Sequence, residues 1–207
     1  MDAWTTIPTD EVIAQVVEKL NTNNFSTVVV ETGEQAKKKV LEMIPEGAEV
    51  LVNTSITLET IGVMDEIDNS GKYNSVRKKY MALDHKTQAD EIRKLRSVQD
   101  IALGSVHAVT KSGQLMIASN SGSQLPGEVF AAKQVFFVIG AQKIVSDIQE
   151  GEKRIFEHSL PLETVRARKA YGLPDTWNSF PSKILIYNRE PVAGRVHVII
   201  VKEVLGY

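Results

Sequence analysis

The chain has 207 residues, 43% of them hydrophobic and 24% charged, with a formal net charge of −2. That size suits one α/β domain whose core needs no covalent staples. With no cysteine in the sequence, disulfides, thiolate zinc sites, cysteine-ligated iron–sulfur clusters and cysteine nucleophiles are excluded, and near-neutral charge gives no field favouring nucleic acid or a membrane.

In chain order, "DEVIAQVVEKL" (10–20) places Val12, Ile13, Val16, Val17 and Leu20 on one helical face. Pro8 blocks backward extension and Thr9 is the expected N-cap acceptor. "STVVVET" (26–32) is a β-branched run of the buried-strand kind. Helix returns over 33–44, with Ala36, Val40, Leu41 and Ile44 inward, and a second buried strand follows in "PEGAEVLVNTS" (45–55). "TLETIGVMDEI" (57–67) predicts another helix. Strand and helix alternating at this spacing predict a mostly parallel sheet flanked by helices.

Residues 70–97 include "RKKY" and "KTQADEIRKLRS" and are expected to form a small flap with solvated basic faces; nucleic acid is not expected as a partner. "IALGSVHAV" and "QLMIA" read as strands joined by a "TKSG" hairpin. "QVFFVIG" (134–140) is the most apolar strand, and a long polar helix interrupted at Pro161 follows it. "KILIYN" (183–188) and "RVHVIIVKEVLG" (195–206) are expected to close the fold as an antiparallel pair, with Arg189 and Arg195 flanking the turn between them. Edge-strand logic at these C-terminal strands leads us to expect a homodimer. The opening "MDAWTTIPTDE" has no basic-then-apolar signal pattern and no apolar run reaches membrane-spanning length, so the expected location is cytoplasmic.

Two stretches stand out chemically. In "VNTSITLETIG" (52–62) a strand ends in Asn53, Thr54 and Ser55 just before a helix. Helix N-termini at the carboxyl ends of parallel strands hold anions, although Ser55 also suits plain helix capping. In "SNSGSQLPGE" (119–128), Gly122 permits close backbone approach, and Ser121, Ser123 and Gln124 supply donors, the composition of an anion-holding loop or of an ordinary turn. Lys143, just after the most apolar strand, adds a cation at the expected cleft mouth. The stretch is neither a P-loop nor a GxGxxG loop, and no nucleophile elbow or histidine metal pair is present. Glu59 and Glu128 are the candidate catalytic carboxyls.

Residues 121–172, "SGSQLPGEVFAAKQVFFVIGAQKIVSDIQEGEKRIFEHSLPLETVRARKAYG", with "NTSITLETIG" before and "NREPVAGRVHVIIVKEVLG" after, resemble the lactate-utilisation (LUD) domain family over roughly residues 10–207. The resemblance implies the fold of ribose-phosphate isomerases, glucosamine-phosphate deaminases (NagB/RpiA) and CoA transferases, in which strand-end loops hold phosphate or CoA. It also implies a role beside iron–sulfur partner proteins in lactate oxidation, and this cysteine-free chain is not the cluster carrier. Relatives commonly carry an acidic residue before the hairpin glycine, where this chain has Lys111 and Ser112. The expected function is therefore binding of a small anionic metabolite or cofactor, accessory to lactate or organic-acid use. Alternatives are an enzyme of the sugar-phosphate isomerase or CoA-transferase type and a non-catalytic partner subunit.

Overall fold

The computed structural model describes residues 3–207. Its large sheet holds six strands, all parallel: β1 (Ser26–Val30), β2 (Glu49–Val52), β3 (Asn74–Ser75), β4 (Ile101–Gly104), β7 (Gln134–Gly140) and β10 (Val196–Val201), in the order β1-β10-β7-β4-β2-β3. A smaller mixed sheet, ordered β8-β5-β6-β9, is built from β5 (Ala108–Thr110), β6 (Leu115–Ser119), β8 (Ile144–Val145) and β9 (Lys183–Tyr187).

Alternation along the central strands sorts their side chains to two faces. Phe137, Ile139, Val198 and Ile200 pack with Ile13, Val16 and Leu20 of helix α1 (Asp10–Thr22) and with Leu115 and Ile117 of the small sheet. Phe136, Val138, Ile199 and Val201 face the other way, onto Ala36 and Val40 of α2 (Gly33–Met43), Leu58 of α3 (Ile56–Thr60) and Val63 and Ile67 of α4 (Val63–Asn69). Each such fully buried side chain contributes roughly 1.5–3 kcal/mol of burial free energy. Helices α5 (Val76–Met81) and α6 (Ala89–Ser97), within the expected flap, bury Val76, Tyr80 and Ile92 against Leu51 of β2.

The expected antiparallel pairing of the two C-terminal strands is not what forms. β9 pairs antiparallel with β6 in the small sheet, whereas β10 runs parallel between β1 and β7, inside the large one. The burial patterns explain the split. "VHVIIV" is apolar on both faces, as a central parallel strand must be, while "KILIY" is only partly buried. Both edges of β10 are paired, while β9, last in the small sheet, keeps a free edge among the described residues.

Three local departures have equally plain causes. The helix expected over 57–67 breaks at Gly62, whose φ of +70 separates α3 from α4. Pro161 does not end the long helix. A π-helical turn, Ile155–Ser159, sits between α7 (Ile148–Arg154) and α8 (Leu160–Tyr171) and accommodates the missing proline N–H. Thr9 makes no side-chain cap, and Asp10 and Glu11 supply the favourable charge in the first turn instead.

Candidate ligand-binding cleft

At the carboxyl end of the large sheet lies a cavity of about 600 Å³. Asn53 enters it directly after β2, Ser105 after β4, and Lys143 at the end of the short turn that follows β7. The loop after β6 adds the far wall. Open parallel sheets bind ligands at this end because strand-end loops and helix N-termini converge there.

Of the residues singled out from sequence, Asn53, Thr54, Ser55, Ser121, Ser123, Gln124, Lys143 and Glu128 all line this one cavity. Gly122 and Glu59 do not. Gly122, at φ +82, shapes the loop from behind: its N–H donates to Ser119 Oγ at 2.8 Å and its α-carbon faces Lys183. Ser123 N–H is likewise taken by Ser121 Oγ at 3.3 Å, so here the loop presents side chains rather than these backbone donors. Glu59 is an exposed residue of α3. Ser55 serves both purposes weighed for it, accepting from Leu58 N–H at 3.4 Å as the cap of α3 while facing the cavity. Lys111 is exposed at the β5–β6 hairpin and does not line the cavity.

Lys143 is buried to 2% exposure, and its Nζ donates to Thr57 Oγ1 (3.2 Å), Ser105 Oγ (3.3 Å) and the Val106 carbonyl (3.2 Å). Burial, with the nearby Arg154 charge, pulls its pKa down to about 7. Ser105–His107 is the corner where the chain leaves the large sheet for the small one, so "IALGSVHAV" is two strands rather than one. Lys143 and Arg154, which donates to the His107 carbonyl at 2.6 Å, satisfy the corner's carbonyls. His107 accepts from Ala118 N–H through Nδ1 (3.1 Å) and is pushed down to about 3, by burial first and then by Lys143 and Arg154.

Glu128 lies at 1% exposure on a π-helical turn, Gly127–Ala131, with Oε1 accepting from Asn53 Nδ2 at 2.9 Å. Burial pushes its pKa up to about 8, the Asn53 bond offsetting only part of that. Arg195, singled out beside the last turn, forms a buried ion pair with Glu190 at 2.9 Å. It also donates to the Glu128 main-chain carbonyl at 3.0 Å and to that of Ala132 at 3.1 Å, anchoring the turn that carries Glu128.

The sequence reading did not join Glu163, Arg166 and Tyr207 to the site. Arg166 grips Glu163 through two 2.7 Å bonds, and Tyr207 OH donates to Glu163 at 2.6 Å. Burial raises the Glu163 pKa, but these partners hold it below the usual range. The i,i+3 spacing of Glu163 and Arg166 was a visible signal for the pair; nothing local announced Tyr207. Arg77, Arg96 and Arg166 join Lys143 on the cavity wall with Glu163 and Glu128; Arg77 is paired with Asp68 and Arg166 with Glu163. Among the described residues, no three His, Asp or Glu side chains gather as a metal site, and no helix is long and apolar enough to cross a membrane.

Comparison with known proteins agrees with this architecture. A crystal structure of a DUF162 family protein from Deinococcus radiodurans superposes with a TM-score of 0.52 at 11% identity, over 94% of this chain and 99% of that one. At that identity the likeness establishes the fold alone. A search of curated proteins returned no match. The family model described as the LUD domain matches residues 13–201, which contain all the strands of both sheets and most of the cleft. The chain belongs to the LUD-domain family.

Proposed function

We propose that the cleft binds a small organic anion and that the protein serves lactate or related organic-acid utilisation as an accessory component. Family membership supports the lactate-utilisation association. The observation that carries the binding reading is Lys143: a buried amine facing a cavity, whose hydrogen-bond partners are all neutral oxygens. A carboxylate or phosphate seated there supplies the counter-charge the fold leaves out. The iron–sulfur proteins of lactate oxidation are the partners this reading favours, in the cytoplasm.

The test is a thermal-shift panel of lactate, pyruvate, sugar phosphates, CoA and nucleotides on the wild type, Lys143→Met and Gly122→Val. Ligand at a hundred times its dissociation constant stabilises the folded state by about 2.7 kcal/mol. A shift in the wild type that Lys143→Met loses supports the reading; no shift with any anion contradicts it.

A second reading, an enzyme of the isomerase or CoA-transferase type, draws on Glu128, which lines the cavity where Glu59 does not. A carboxyl protonated at neutral pH suits proton donation better than nucleophilic attack. Glu128 therefore supports the isomerase form, and a glutamyl adduct trapped by hydroxylamine after incubation with acyl-CoA would show the transferase form instead.

A further inference from the structure

Two side chains in the cavity have hydrogen bonding that stops half-way. Asn53 is 6% exposed and Glu128 1%, and Asn53 Nδ2 donates to Glu128 Oε1 at 2.9 Å. Among the described residues, Asn53 Oδ1 and Glu128 Oε2 bond to nothing, and both residues belong to the cavity lining. Buried polar atoms are nearly always partnered, so a pair left open at a cavity wall points to a partner that arrives.

The fold holds this arrangement firmly. A β-carbon at Gly104 would stand 2.6 Å from Glu128 Oε1, so the glycine makes room for the carboxyl against the end of β4. Arg195 fixes the main chain of the same turn through the Glu128 and Ala132 carbonyls. π-Helical turns are uncommon and frequently mark functional positions.

The protonation state decides what the pair can read. Burial keeps the Glu128 carboxyl protonated at neutral pH. Oε1 already accepts the Asn53 N–H, so Oε2 carries the proton and is a donor. Asn53 Oδ1 is an acceptor. A hydroxyl satisfies both, accepting from Glu128 and donating to Asn53. An ether or a ketone meets only the donor, and a methylene meets neither.

We propose that Asn53 and Glu128 recognise an alcohol hydroxyl of the ligand, so that the cleft takes hydroxy acids in preference to acids lacking the hydroxyl. The inference rests on the anion-binding reading, in which Lys143 holds the acid group.

Calorimetric titration of the full chain with matched acids tests it: lactate against propionate, and 3-hydroxybutyrate against butyrate. In at least one pair the hydroxy acid is expected to bind about tenfold tighter or more, since a site built around a hydroxyl leaves buried polar groups unpaired with the deoxy analogue. Glu128→Gln keeps an acceptor for Asn53 and an N–H donor in place of the O–H, and retains the preference. Glu128→Met erases it, leaving equal affinities. Equal affinity within both pairs for the wild type, or a preference that survives Glu128→Met, overturns the inference while the anion reading stands. If none of the four acids binds, the inference falls, and the anion reading falls with it only when the phosphates, CoA and nucleotides of the thermal-shift panel also fail to bind.

Discussion

Lys143 Nζ lies 3.2 Å from Thr57 Oγ1, and neither this bond nor its contacts with Ser105 and Val106 brings a negative charge. A buried ammonium held only by neutral oxygens is costly, and the lowered pKa near 7 is the measure of that cost. Below pH 7 both folded and unfolded chains carry this proton. Between pH 7 and the ordinary lysine value of 10.5 the unfolded chain binds it and the folded one does not, so stability rises with pH across that window. Lys143→Met should abolish this rise, which is on the order of 5 kcal/mol at most. Urea denaturation of both proteins at pH 6 and pH 10 reads the difference.

Glu128 gives the opposite slope. Its pKa is raised from 4.5 to about 8, so its contribution is fully present below pH 4.5 and is lost as pH rises to 8. Glu128→Gln, which imitates the protonated carboxyl, should match the wild type near pH 4.5 and exceed it at pH 8 by up to roughly 5 kcal/mol. Denaturation profiles that stay parallel at both pH values would show Glu128 to be ionised in the fold.

Gly104→Ala is a test of the room made for Glu128. With Oε1 2.6 Å from the added carbon and Phe137 at 3.4 Å, the substitution should cost about 1–3 kcal/mol. In the Glu128→Ala background the cost should shrink, a coupling that a double-mutant cycle on denaturation midpoints resolves.

Arg195→Met leaves Glu190, 1% exposed, without its cation and frees the carbonyls of the π-helical turn. The expected loss is about 3–5 kcal/mol. Tyr187, which also donates to Glu190, does not replace the charge. Removing both charges with Glu190→Leu in the same chain should recover part of the loss, as thermal denaturation will show.

The residues that were legible in the sequence are those whose signal is local. The apolar run "VFFVIG" announced a buried parallel strand, whereas "STVVV", expected to be buried, forms the sheet's edge strand β1 with Val28 and Val29 exposed; polar strand ends at Asn53–Ser55 and after Ser119 announced the cleft walls. What sequence did not carry was pairing at a distance. Nothing near β9 says that it joins β6, and nothing near Glu128 says that Asn53, 75 residues earlier, meets it. Glu128 and Glu59 looked alike as glutamates; burial by the Arg195-anchored turn separates them. The corner at Ser105–His107 was hidden because no glycine–proline turn signal marks it, and the cations that stabilise it arrive from the turn after β7 and from α7.

An anion that seats against Lys143 draws a proton onto its amine, and calorimetry reads that uptake. Lactate is titrated calorimetrically at pH 8 in triethanolamine and in Tris, neither of them an anion that competes for the site, with Glu128→Gln carried throughout so that position 128 cannot titrate. An anion beside Lys143 raises its pKa, so the account predicts uptake of a substantial fraction of a proton, seen as a heat that differs between the buffers. That difference should vanish when Lys143→Met is added. Buffer-independent heat with Lys143 present, or the same uptake without it, would contradict the account.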